Sequence, residues 1–153
     1  MKKLITILAL ALFANFGISA QDLNKKQGNI SRSGLAIEGY DPVAYFAASK
    51  AVEGKKEFSA IDAGVTYYFA TAQNRDLFKA NPAKYKPQYG GWCAYAMGDS
   101  GEKVEIDPAT FKILDGKLYL FYNKYFNNTL KSWNKDEPNL KKKADANWTR
   151  LAK

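Results

Sequence analysis

Hydrophobic and polar positions change period several times along this chain, and no period runs far. Lys2 and Lys3 precede an apolar run at residues 4–16, which ends in the stretch Gly17, Ile18, Ser19, Ala20. That order predicts a cleavable export signal at residues 1–20, because the run is shorter than the roughly 18 residues that span a bilayer. No cysteine follows the run to take a lipid. Residues 21–34 are polar and aperiodic and read as a linker. From Leu35 onward the elements shorten. Asp41 before Pro42 sets a cap ahead of a proline at the first helical position and predicts a short helix over 42–48. Two β-rich runs, 57–61 and 65–69, flank Asp62-Ala63-Gly64 and predict a hairpin. Thr71 suits the cap of a helix in which Leu77 and Phe78 face inward, Asn81-Pro82 ends it, and a further turn is expected at 83–85.

Gly90-Gly91 breaks the chain again, and the apolar run 92–97 that follows suits strand or helix. A second hairpin is clearer: 111–114 and 117–122 flank Asp115-Gly116, a dipeptide that accepts positive φ at both turn positions. Phe126, Leu130 and Trp133 recur at i, i+4, i+7, and Leu140, Ala144, Trp148 and Leu151 at i, i+4, i+8, i+11. Both spacings predict amphipathic helices. Local helices and antiparallel hairpins together predict one small α+β domain over 35–153, with two antiparallel β-hairpins, short helices and a C-terminal helical extension.

Composition narrows the chemistry. The chain has 153 residues, no histidine and a single cysteine, which excludes His-based catalytic pairs, imidazole metal sites and a histidine pH switch. Removing Lys2 and Lys3 from the 23 basic residues leaves 21 against 15 acidic ones, so the expected mature charge is 21 − 15 = +6. Residues 131–153 carry seven basic and three acidic residues, which is +4 of that excess. These lysines are not interleaved with stacking aromatics, so a solvated helix face is expected and no specific nucleic-acid partner. Glu102, Glu105 and Asp107 lie close together, which leaves a paired-carboxylate acid and base open, but a polar loop before Pro108 explains them equally well.

The run Gly64-Val65-Thr66-Tyr67-Tyr68-Phe69-Ala70-Thr71, followed by Arg75, Phe78, Asn81-Pro82 and Lys84-Tyr85, resembles the YHS domain pattern, and Tyr40-Asp41-Pro42-Val43 fits its start. The likeness covers about residues 38–89. The continuation through Gln88-Tyr89-Gly90-Gly91-Trp92-Cys93-Ala94-Tyr95, Asp115-Gly116-Lys117 and Ala144-Asp145-Ala146-Asn147-Trp148 is similar to an exported, cysteine-poor subgroup of uncharacterised YHS proteins. In metal-associated members the pattern places cysteines where this chain has Ala44, Ala70 and Asn74. Of the name-giving residues Tyr67 matches, whereas Tyr68 stands in the usual place of His and Thr71 in that of Ser. The resemblance therefore implies the fold, and the replacements argue against the metal function most often suggested for the family, since an alanine methyl offers no lone pair.

Cys93 is the one thiol, and one thiolate cannot close a tetrahedral zinc site. A buried, inert Cys93 is expected, with redox or soft-metal chemistry as the alternative. The ten tyrosines bring apolar area with one polar tip, which suits either a small core or the wall of a ligand cavity. The resulting expectation is a periplasmic or secreted, non-catalytic binding module with no cofactor. Its partner is an unidentified small molecule or protein, and no transmembrane segment remains after cleavage. The candidate ligand-binding residues are Tyr40, Asp41, Tyr45, Tyr89, Trp92, Cys93 and Tyr95, from two segments beside chain breaks. A metal-handling or redox protein centred on Cys93, and a basic interaction module working through 131–153, are the rival readings.

Overall fold

The computed structural model describes residues 27–153, so the export signal expected at 1–20 lies outside the described residues. The chain is α+β, in the order α1 (Ala44–Ala47), β1 (Lys55–Asp62), β2 (Val65–Phe69), α2 (Ala72–Ala80), α3 (Pro82–Tyr85), α4 (Ala94–Asp99), β3 (Asp107–Leu114), β4 (Lys117–Phe121), β5 (Asn123–Lys124), β6 (Asn127–Asn128), α5 (Thr129–Trp133) and α6 (Glu137–Leu151). Each strand pair is an antiparallel hairpin: β1 with β2, β3 with β4, β5 with β6.

The first two hairpins each turn through a left-handed pair whose second residue is glycine. Ala63 and Gly64 have φ of 48° and 77°, and Asp115 and Gly116 have 51° and 70°. Registers Asp62↔Val65 and Leu114↔Lys117 leave two-residue loops, whose twist matches that of the strands. Thr71 caps α2 by accepting the Asn74 N–H at 3.1 Å, and Asn81 ends α2 while its side chain accepts the Lys84 N–H of α3.

β4 organises the interior because it is buried on both faces. Leu118 and Leu120 enter one apolar cluster with Val43, Tyr45, Val65, Tyr67, Phe69, Phe78 and Cys93. Tyr119 and Phe121 enter a second with Tyr89, Met97, Trp133, Leu140 and Ala144. The continuous apolar run Leu118 to Phe121 is thus the period-2 strand pattern with both faces covered. α6 lies against α4 through Gly98, where a Cβ would stand 2.4 Å from the Leu140 carbonyl oxygen. Leu140 and Ala144 are buried there, while Trp148 and Leu151 are half-buried. Lys112 pairs with Glu137 at the start of α6, and Trp133 Nε1 donates to the same Glu137 oxygen at 2.7 Å. The Lys112 bond, helped by that indole, holds the Glu137 carboxyl below its ordinary range.

Three expectations fail here. Residues 27–34 are not a free linker: the Asn29 N–H donates to Gly90 O at 2.9 Å, Trp92 Nε1 donates to Gln27 O at 2.6 Å, and Ile30 packs on the core. Backbone pairing ordered a segment whose polar composition carried no such signal. Leu77 is not inward, being 43% exposed, because the short helix α2 buries only the stripe centred on Phe78. Phe126 does not begin a helix. It sits at the tip of the β5–β6 hairpin, and α5 starts only at Thr129, after the Asn128 side chain accepts the Leu130 N–H at 3.1 Å.

Candidate functional site

The seven candidate residues separate into different surroundings. Asp41 is fully buried and acts as a structural hub. One of its oxygens accepts the N–H groups of Val43 at 2.8 Å and Ala44 at 3.3 Å, and the other accepts Ala70 N–H at 2.8 Å and Asn74 Nδ2 at 2.7 Å. The capping role read from Asp41-Pro42 is present, extended by two partners from β2's end and α2. The three positions where the family resemblance implies cysteines therefore gather at a single carboxylate. Four donors satisfy it, and no orphan acceptor is left for a ligand.

Tyr45 is buried, stacks edge-on with Phe111 at 4.7 Å and donates its hydroxyl to Pro108 O at 2.8 Å. Tyr40 is half-buried at the surface, its hydroxyl 3.5 Å from Glu53 Oε1. Tyr95 is half-buried and bridges the two apolar clusters. Trp92 spends its indole N–H on Gln27 and lies 5.9 Å beneath the Lys103 ammonium.

Cys93 is fully buried, as expected for an inert thiol. Thr129 donates its hydroxyl proton to Tyr122 O at 2.9 Å, so its oxygen is free to accept the Cys93 S–H at 3.4 Å. The Cys93 sulfur in turn accepts Tyr122 N–H at 3.3 Å. Both hydrogen-bonding faces of the thiol are used inside the protein. Among the described residues no group of three or more His, Cys, Asp or Glu side chains is placed to hold a metal ion. Nor do the three acidic residues at 102–107 form a pair. Asp107 accepts from Ala109 N–H and the Thr110 hydroxyl, and Glu105 reaches Lys124 at 3.6 Å.

Of the seven, only Tyr89 lines the main cavity, a space of about 360 Å³ between the β1–β2 hairpin, the 88–91 turn and α6. The turn makes the space. Tyr89, Gly90 and Gly91 are successive left-handed residues with φ of 53°, 61° and 86°. A Cβ on Gly90 would stand 2.9 Å from the Trp148 ring and 3.2 Å from Gly28 Cα, so glycine lets α6 and the 27–30 segment close over the turn together. Tyr89 donates to Asp145 Oδ1 at 2.8 Å, and Lys141 grips the other Asp145 oxygen at 2.7 Å. Burial first and that carboxylate second push the Tyr89 phenol far above its ordinary value. At the opposite wall Asp62 pairs with Lys86.

Tyr67, on β2, is the residue absent from the sequence-based set. It lines the cavity and is only 6% exposed, yet among the described residues no hydrogen bond reaches its hydroxyl. Burial, and then the negative charge of Asp62, push its phenol well above the ordinary value, so it is a neutral O–H donor at any physiological pH. Tyr45 and Tyr89 donate their hydroxyls to protein acceptors, whereas for the buried Tyr85 and Tyr119, as for Tyr67, no such bond is described; Tyr67 differs from those two in lining the cavity. Tyr67 was visible as a family-matching residue, and Trp148 as a packing stripe. Nothing in the local pattern joined either to Gln27, Asp62, Lys86 or Asp145.

No family model matches the chain, no curated protein matches it, and no solved structure matches it.

Proposed function

We propose that this protein is an exported, non-catalytic binding module of YHS type, and that the cavity walled by Tyr67, Tyr89, Trp148, Asp62, Lys86 and Asp145 is its ligand site. The observation that carries the reading is the Tyr67 hydroxyl, a donor with no hydrogen bond among the described residues on the wall of a space large enough for a small organic molecule. An acceptor on a ligand would gain the net worth of one hydrogen bond there, about 0.5–1.5 kcal/mol. Aromatic walls with a few fixed polar groups are the usual make-up of such a site. The chemistry suits a small, partly aromatic or cyclic ligand with an oxygen or nitrogen acceptor. Carboxylates and an ammonium at the rim favour one that also carries polar substituents.

The family assignment is supported by the convergence of Ala44, Ala70 and Asn74 at the Asp41 carboxylate. Three positions spread over thirty residues share one neighbour, as they would in a domain built as the resemblance implies. Export rests on the order of charge, apolar run and small residues at 1–20.

Native mass spectrometry of protein purified from its own source is expected to show an organic adduct that is lost on denaturation. Tyr67→Phe should lower its occupancy about threefold to tenfold, the worth of one hydrogen bond, with an unchanged fold. Wild-type protein that carries no adduct and gains no thermal stability from any member of a small-molecule library would sink the proposal.

A further inference from the structure

Among the described residues the two most exposed large hydrophobic side chains are neighbours: Tyr125 is 90% exposed and Phe126 wholly so. They fill both loop positions of the β5–β6 hairpin, with φ of 51° and 63°. A two-residue turn of this kind favours Asn-Gly or Asp-Gly, and the chain's other two hairpins place glycine second. Here two bulky aromatics occupy left-handed backbone, so the turn combines strain with exposed apolar area and folding relieves neither.

The stalk beneath them is firm. Asn123 pairs with Asn128 and Lys124 with Asn127, and Asn123 Nδ2 donates to Thr110 Oγ1 at 3.0 Å. Thr129 closes the base through its N–H and hydroxyl, both donated to Tyr122 O at 3.0 and 2.9 Å. The two rings are therefore held outward on an anchored ribbon.

The hairpin and its flanks carry charge of one sign along the chain. From residue 117 to 135 the chain carries Lys117, Lys124, Lys131 and Lys135 and no acidic residue. The carboxylates described against the hairpin are Glu105, 3.6 Å from Lys124, and Asp107, which accepts from Asn123 Nδ2 at 3.3 Å at its base. Two side chains offer far less than the roughly 1,000 Å² that a specific protein interface buries. A lipid surface needs only a small apolar wedge, cations for anionic headgroups, and an aromatic hydroxyl at headgroup level.

We propose that the Tyr125-Phe126 tip is a membrane-docking wedge: it inserts into the interfacial layer of an anionic phospholipid bilayer, with Lys124 and Lys131 meeting the headgroups. This goes beyond the ligand cavity and stands whether or not that cavity is filled.

The test is co-sedimentation of the full chain with sucrose-loaded vesicles, phosphatidylcholine alone or mixed with phosphatidylglycerol, compared with the same chain carrying Tyr125→Asn and Phe126→Gly. The double change installs the favoured turn residues, so the variant should melt at the same temperature or higher. Because both chains keep residues 1–20, the difference between them reports the tip. Wild type should partition onto phosphatidylglycerol vesicles about tenfold or more better than the variant, with binding that weakens as salt rises. Lys124→Gln with Lys131→Gln should lower that binding about tenfold or more. Equal partitioning of wild type and the tip variant, or no preference for phosphatidylglycerol, overturns the proposal. A wild-type dimer in sedimentation velocity that the tip variant abolishes, with no vesicle binding, overturns it in favour of a second copy of this chain.

Discussion

Asp41 and Tyr67 are both polar, both buried and both part of the family-like region, yet the protein treats them in opposite ways. The Asp41 carboxylate receives four donors from three parts of the chain and is closed to anything else. The Tyr67 hydroxyl receives none and faces a cavity. Hydrogen-bond satisfaction therefore separates a residue that holds the fold from one that is available to a ligand. Polarity, burial and closeness to the motif do not, since the two residues share all of these.

Breaking the closed region should cost most. Asp41→Ala strands four buried or part-buried donors, and chemical denaturation should show a loss of about 4 kcal/mol, less than the sum of four separate bonds because their partners relax together. A loss under about 1 kcal/mol would mean that the hub is dispensable and the contrast with Tyr67 empty. Asp41→Asn should also destabilise, since its amide nitrogen would confront the Ala70 N–H or the Asn74 amide.

Trp148→Ala sharpens the open side. A fully buried tryptophan would cost about 3–5 kcal/mol, but Trp148 is half-buried and lines the cavity, so a loss of about 2 kcal/mol is expected in the same melts. Its larger effect should fall on ligand occupancy in native mass spectrometry. An unaltered occupancy would remove α6 from the site.

Cys93→Ser tests the rival reading at a smaller scale. The shorter hydroxyl keeps a donor and an acceptor but fits the Thr129 and Tyr122 partners less well, so the melt should shift by about 1 kcal/mol and ligand occupancy should hold. Loss of a stoichiometric metal in this variant would restore Cys93 as a ligand. The smallest effect on stability belongs to Tyr67→Phe, within about 0.5 kcal/mol, because no protein acceptor loses its partner. A large destabilisation there would reveal that the hydroxyl is engaged in the fold after all.

Where a feature depended on neighbouring residues, the sequence alone determined it. The turns at Ala63-Gly64 and Asp115-Gly116, the caps at Thr71 and Asn81, the break at Gly90-Gly91 and the long C-terminal helix all follow from backbone sterics and spacing that act over a few positions. The same reasoning misled where two local signals competed. Phe126, Leu130 and Trp133 have helical spacing, but the Asn127-Asn128 pair placed a cap inside it and gave Phe126 to a turn. Burial of the Cys93 thiol was legible from residue type, whereas its hydrogen bonds to Thr129 and Tyr122 were not.

Only the tertiary structure decided the rest. The cavity joins Gln27, Asp62, Tyr67, Tyr89 and Trp148, residues drawn from opposite ends of the chain, and no period or dipeptide links such distant positions. Whether a buried hydroxyl finds an acceptor is set by which elements pack beside it. That outcome depends on the closure of α6 and the 27–30 segment over a left-handed turn, a long-range event that local sequence constrains but does not encode.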